Sequence, residues 1–397
     1  MSRPFSNVRI LDFTQVLAGP YGSYQLALLG ADVIKVERTE GEDMRRTPLS
    51  REWADRGMAP SWLAINGNKK SLTLDFRKPA AVEIVRKLVA KADVVMENFR
   101  GGVMDRLGIG YKALSEINPK LIYCCISGFG QTGPYSHEAG YDGKIQALSG
   151  IMSITGHAEM GPTRAGFAVC DVLSGMTAAF AVSSALYQRT HTNIGQFIDV
   201  SMLEASLAFL STHVADFTVA GHCQEQSGNQ AISRKVTANL FRAKDSYLLL
   251  AVNDEKQYRS LINTLGREDL LDDPRFGDWF QRKENEAALR AIIEAALARQ
   301  DAKAWEKELN AAGAPSASIW TIEEVLAHPQ VIDRAVMQSV RSQYGMLRLM
   351  GSGFKMAHGG GHLDTAPPEL GADNDSILTE IGYDPASIAV LRAEGVV

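Results

Sequence analysis

Short apolar runs alternate with helical stretches through the first half of the chain, and that alternation leaves few folds open. Val8 to Phe13 reads as a strand, Gly19 and Pro20 punctuate it, and YGSYQLALLG reads as a helix stopped near Gly30, before a second strand, DVIKVE. The pattern recurs. The helix PAAVEIVRKLVAKA leads into the strand DVVMEN, and a short helix from Val103 to Leu107 precedes the strand LIYCCIS. A long helix running to about Arg189 precedes the strand QFIDVSM and a further helix from Leu203. Strands separated by helices pair in parallel, because the crossover returns the chain to the same edge. The expected class is α/β with a parallel sheet.

The pattern lapses between Gly221 and Lys235, a polar stretch without apolar periodicity that reads as a linker. Beyond it lie the strand SYLLLAV and helices around Glu255–Leu265, Glu284–Ala298 and Ala302–Ala312. Near Arg334 the chain turns β-like again and ends in a Gly- and Pro-rich tail before a last short helix. The expected domains are therefore 1–220 with 330–397 as a large unit, 221–235 as linker, and 236–329 as a smaller α/β unit. A chain of 397 residues is long enough for both cores.

Composition narrows the function. A net charge of −5 supplies no basic field for nucleic acid. The four cysteines, Cys124, Cys125, Cys170 and Cys223, form no C-x-x-C pair, so zinc and redox motifs are unsupported and a reducing compartment is expected. No secretory leader pattern is present at the N-terminus, and no apolar run reads as long enough to span a bilayer. The expectation is a cytoplasmic protein with neither membrane nor nucleic-acid partner and no metal.

Gly128 to Gly133, GFGQTG, matches the dinucleotide fingerprint and follows a strand, but Pro134 and PYSHEAGYD do not open a helix. A pyrophosphate would find no helix N-terminus there, so a glycine loop beside some other ligand is the better reading. His358 and His362 are separated by three glycines and read as an exposed turn. Arg38, Lys69, Lys70, Arg77, Arg100 and Arg106 fall near the ends of expected elements, where a parallel sheet opens its ligand crevice; they are either phosphate contacts or solvated surface. Asp171 opens the helix that continues through Leu173, Met176, Ala179 and Phe180. It is either an N-cap or a nucleophile whose charge the helix dipole favours by about 0.3–1 kcal/mol.

Taken in order, LDFTQVLAGPYGSYQLALLGADVIKVER, NGNKKSLTLDFR, ADVVMENFRGGVMDRLG, SGFGQTGPY, GYDGKIQALSGIMSITG, CDVLSGM, GQFIDVSM and TAPPELGADNDSILTEIGY resemble the class III coenzyme A transferases, a family that includes formyl-CoA and carnitine CoA transferases. The resemblance runs nearly end to end. It implies a Rossmann-like large domain, a smaller domain and an interlocked homodimer. It also implies an enzyme that moves coenzyme A from an acyl-CoA to a small carboxylic acid, with CoA as substrate and no permanently bound cofactor. The family's catalytic aspartate falls on Asp171. Its CoA contacts fall on Leu17, Ala18, Arg38, Leu74, Asp75, Phe76, Arg77, Asn98, Phe99, Arg100, Arg106, Tyr141 and Asp142. Gln15 occupies a substrate-side position where members differ. The chain departs from the family in lacking a Gly-rich run within SGNQAISRKVTANLF, and in Ser246 after Asp245.

Two rival functions remain at this level. An α-methylacyl-CoA racemase of the same superfamily needs proton-handling groups on both faces of the α-carbon, and this chain has Tyr141 where such enzymes carry a histidine. A non-catalytic acyl-CoA-binding protein would have no use for an intact Asp171.

Overall fold

Six strands form one parallel sheet in the computed structural model of the protein, which describes residues 2–397. They are β1 (Arg9–Asp12), β2 (Asp32–Glu37), β3 (Lys69–Thr73), β4 (Val94–Glu97), β5 (Ile122–Ser127) and β6 (Gln196–Ser201). Their order is β3-β2-β1-β4-β5-β6, and every neighbouring pair is parallel. This is the Rossmann order, whose connections reverse direction between β1 and β4.

Successive side chains on each strand face opposite sides, and both sides are covered. Ile10, Val33, Val94, Ile122 and Cys124 pack against helix α1 (Ala18–Leu28). Leu11, Ile34, Leu72, Val95 and Tyr123 pack against α2 (Pro79–Val89) and two C-terminal helices, through Ile377, Leu378, Ile388 and Leu391. Helices α3 (Asp142–Leu148), α4 (Val169–Thr192), α5 (Met202–Phe209) and α6 (Ser211–Ala220) also belong to this part of the chain. Ala178 and Val182 of α4 join Leu26 of α1 on the first face.

α1 and α4 meet through glycines. A Cβ on Gly175 would lie 2.4 Å from the Ala18 carbonyl oxygen, and one on Gly22 would lie 2.7 Å from the Gly175 carbonyl oxygen. The obstructing atoms are backbone, so the helices must part to admit even a methyl group. Gly175→Ala is therefore expected to lose about 1–3 kcal/mol of stability, read as a lower urea midpoint, although alanine is the better helix former.

The chain divides into two units. One holds everything up to Ile151 together with Ala165–Cys223 and Ile332–Val397; the other holds Met152–Arg164 and Gln224–Val331. The sequence pattern left residues 152–164 in the larger domain. They cluster instead with the second unit, where the Gln226 side-chain amide donates to the carbonyls of Thr155 (2.6 Å) and Gly161 (2.8 Å). That unit has an antiparallel sheet of β7 (Ala238–Arg242), β8 (Tyr247–Ala251) and β9 (Ser316–Ser318), with a core of Phe241, Leu248, Tyr258, Ile293 and Trp305. The first unit also carries the hairpin β10 (Met337–Ser342) and β11 (Gly345–Met350).

One expectation needs correction. α4 is 24 residues long and contains an 18-residue stretch of mean hydropathy 1.5, long and apolar enough by those measures to cross a membrane. Its small residues Cys170, Ser174, Gly175, Ala178 and Ala179 are buried in the first unit, as in a core helix. Its other face leaves Phe180 74% and Tyr187 71% exposed.

Candidate active site

The carboxyl ends of the strands carry the loops that line two cavities. The first, about 360 Å³, lies above β1, β2 and β3 and is lined by Phe13, Arg38, Leu74, Asp75, Phe76 and Arg77, among others. The second, about 350 Å³, is lined by Val16, Leu17, Ala18, Asn98, Arg100, Ser127, Tyr141 and Asp171, among others. Gln15 and Phe99 line both, so the two spaces meet where the strand connections reverse. The close approach of Gly128 and Gly140 shapes the far wall, since a Cβ on Gly140 would lie 2.3 Å from the Gly128 Cα.

The turn after β1 is fastened by buried charges. Asp12 and Lys69 are fully buried and 3.0 Å apart, and Asp12 also accepts from Ser23 and from the Thr14 N–H. Burial pushes the Asp12 carboxyl up, but Lys69, Lys35 and the two hydroxyls outweigh it and bring it down to about 2. Burial lowers the Lys69 ammonium to about 8 against the pull of Asp12. Lys35, also fully buried, pairs with Glu42 at 2.8 Å and donates to the Thr14 carbonyl at 2.9 Å. The Asn98 side chain grips Gln15 from both sides, accepting its N–H at 2.8 Å and donating to its carbonyl at 2.7 Å. The loops after β1 and β4 are thereby locked together.

Asp171 stands in the first turn of α4 but does not cap it; Ala168 is the N-cap and provides no side-chain bond. The carboxylate is half-buried, faces the second cavity, and has no hydrogen-bond partner among the described residues. Burial, and then the neighbouring charge of Asp142, pushes it up to about 7. This corrects the expectation that the helix start alone keeps the group ionised. A dipole contribution of about 0.3–1 kcal/mol is smaller than the desolvation it opposes. Asp142 lies behind Asp171, accepting from the Cys170 N–H at 2.9 Å and from Gln146 at 2.6 Å.

Of the residues singled out from sequence, Leu17, Ala18, Asn98, Phe99, Arg100, Tyr141 and Asp171 gather at the second cavity, and Arg38 and Leu74 to Arg77 at the first. Gln15 joins them. Arg106 is exposed and Asp142 is buried, and neither lines either cavity. Lys69 and Lys70 are not available to a phosphate: Lys69 belongs to the buried pair, and Lys70 pairs with Asp32 at 2.7 Å. Sequence reasoning did not single out Glu42, Lys35 or Glu97. Glu97, at the end of β4, accepts from the Phe99 N–H at 2.8 Å, and burial pushes it up to about 7. No group of three or more metal-ligating side chains occurs among the described residues.

Comparison with known proteins accords with this geometry. Residues 5–374 match CoA-transferase family III. Succinyl-CoA:glutarate CoA-transferase of Mus musculus is 34% identical over all of this chain and 90% of its own length. The succinyl-CoA–D-citramalate CoA-transferase of Chloroflexus aurantiacus is 33% identical over all of this chain and 98% of its own. The acetyl-CoA:oxalate CoA-transferase of Acetobacter aceti is 36% identical over 84% of this chain and 85% of its own. A crystal structure of a CAIB/BAIF family protein from Brucella suis superposes with a TM-score of 0.88 at 33% identity, covering 96% of this chain and 100% of that one. With a Rossmann-ordered sheet and a match along almost its whole length, the chain belongs to CoA-transferase family III and is a CoA-transferase.

Proposed function

We propose that Asp171 carries coenzyme A between two carboxylic acids as a transient thioester. The observation that carries this reading is the unpartnered Asp171 carboxylate, set in a cavity that adjoins an arginine-bearing one. Arg38 and Arg77 take the phosphates of CoA, the pantetheine arm passes Gln15 and Phe99, and the thioester reaches Asp171. Arg77 is pre-oriented for this by Asp75, which accepts from its side chain at 2.8 and 2.9 Å.

A carboxylate oxygen of Asp171 attacks the acyl carbon of the donor. The carbon–sulfur bond breaks, leaving a mixed anhydride and the CoA thiolate. The thiolate attacks the aspartyl carbon, the anhydride carbon–oxygen bond breaks, and the donor acid leaves as a carboxylate. The acceptor carboxylate then attacks the aspartyl thioester and the sequence reverses, restoring Asp171. Charge balances without a net proton. Each addition creates an oxyanion, and the N–H groups at the start of α1 and on the Gly128 loop are the donors at hand. The named relatives point to short dicarboxylic acids, with succinyl-CoA as a donor.

The working enzyme is a homodimer. The exposed apolar side chains of α4, α5 and α6, among them Phe180, Tyr187, Phe209, Phe217 and Val219, are surface of the kind a subunit contact covers. The four cysteines are free thiols, which suits a cytoplasmic setting.

Mixing the enzyme with succinyl-CoA alone tests the reading. A CoA-sized mass increase is expected, mapping to the peptide that contains Asp171, and a panel of acids then identifies the acceptor. An adduct elsewhere, or none, defeats the proposal. Adduct formation is expected to rise as pH increases through about 7, because the ionised carboxylate is the nucleophile. Asp142→Asn removes the neighbouring charge and moves that midpoint down, as single-turnover rates between roughly pH 5 and 9 will show.

A further inference from the structure

Val16 is a β-branched residue at φ 66°, in the left-handed region such side chains avoid. Its own side chain is 47% exposed, so core packing does not hold it there. The neighbouring peptide groups are held by side chains. The Val16 N–H donates to Glu42 Oε2 at 2.7 Å, and the preceding residue is gripped on both sides by Asn98. Glu42 is itself fixed through Oε1, which accepts from Trp62 Nε1 at 2.9 Å and meets Lys35 Nζ at 2.8 Å. Lys35 returns to the same turn through the Thr14 carbonyl.

We propose that Glu42, held by Lys35 and Trp62, is a positioning residue that keeps the Val16 turn in its strained form beside Asp171. The inference rests on the reading of Asp171 as the site of chemistry. Val16, Leu17 and Ala18 line the Asp171 cavity, and α1 begins within them. First-turn N–H groups of a helix lack intrahelical acceptors, so the conformation of Val16 sets where those donors stand. Strain of this kind persists only where surrounding groups over-determine it, and it is common at functional sites. Without the Glu42 acceptor, Val16 relaxes to negative φ and turns the peptide groups that follow. Glu42 and Lys35 also line the first cavity, but their side chains are buried in its wall and already paired with each other, so the loss falls on the transition state more than on binding of the CoA nucleotide.

The test uses Glu42→Asp and Glu42→Gln. Glu42→Asp keeps the charge for Lys35 but withdraws the carboxylate by one methylene; Glu42→Gln removes the charge. Either is expected to lower kcat about tenfold or more while the KM for acyl-CoA stays within about threefold. Adding Val16→Gly to either variant restores most of the lost kcat, because glycine adopts φ 66° without the clamp. A merely structural glutamate would give no such rescue. A kcat within about threefold of wild type in the folded single variants, or no rescue by Val16→Gly, overturns the proposal. So does failure of Glu42→Asp/Val16→Gly to fold, since Glu42 would then serve the core and not the turn. Asp171→Ala, assayed alongside, keeps the two claims separate. An adduct in that variant refutes the mechanism whatever Glu42 does, and an inert Asp171→Ala beside a fully active Glu42→Asp refutes only the positioning role.

Discussion

Asp171→Ala will lose CoA transfer by on the order of 10⁴-fold or more while still binding coenzyme A. The expectation follows from the separation of parts. Arg38 and the Leu74 to Arg77 loop belong to a cavity that Asp171 does not line, so removing the carboxylate leaves the surroundings proposed for the nucleotide untouched. In the proposed relay a carboxylate holds the thiol in transit, and Glu138, which also lines the Asp171 cavity, is engaged by Lys144 and does not replace it. CoA binding by calorimetry and the mass of the enzyme after mixing with acyl-CoA read the two properties separately. Transfer that survives in the variant would refute the relay.

The same side chain carries a stability cost with a predictable sign. Burial and Asp142 raise the Asp171 carboxyl from 3.8 to about 7, so the folded chain holds this proton more tightly than the unfolded chain. Ionised Asp171 therefore opposes folding. The penalty is absent below about pH 4, grows as pH rises, and is complete above about pH 7. Asp171→Asn is expected to be inactive yet more stable than wild type at pH 8, by about 1–3 kcal/mol in urea unfolding, and indistinguishable from it at pH 4.

The parallel sheet was legible in the sequence because five of its strands are apolar runs separated by helical periodicity. β3 escaped that reading for a physical reason. In KKSLT the buried positions include Lys69 and Ser71, which pack through an ion pair with Asp12 and a hydrogen bond to Glu37 rather than through apolar contact. Hydropathy cannot register a strand whose inward side chains are polar and paired. The same limit hid Lys35 and Glu42, which look like surface charges in DVIKVE and TEGEDM yet are buried in the wall of the first cavity. The glycine loop after β5 was legible because Pro134 ruled out an immediate helix, and the next helix begins only at Asp142. Asp171 itself was ambiguous. Cap and nucleophile both favour an aspartate at a helix start, and only the position of Ala168 as N-cap separates them.

Asp12→Ala is expected to destabilise the protein by about 3–5 kcal/mol, more than any other single change argued above. The Asp12 and Lys69 side chains are both wholly removed from water, and among the described residues Lys69 has no other carboxylate in ion-pair contact. Lys35, also fully buried, keeps Glu42. Without Asp12, Lys69 must either remain charged without a counter-ion or release its proton, and its ammonium is already lowered to about 8. The pH dependence then separates wild type from variant. Asp12, brought down to about 2, contributes stability that is present above about pH 4 and lost as pH falls through about 2; the variant lacks this acid transition. In Asp12→Ala the folded state binds fewer protons than the unfolded state at neutral and alkaline pH, so its stability rises with pH up to about 10; the gap to wild type narrows up to about pH 8, above which wild-type Lys69 releases its proton in step. Adding Lys69→Met removes the stranded charge and replaces it with an apolar side chain of similar length. The double variant is expected to recover more than half of the loss at pH 7. If it is no more stable than Asp12→Ala, the stranded ammonium is not the source of the loss, and the hydrogen bonds of Asp12 to Thr14 and Ser23 are what hold the turn below the active site.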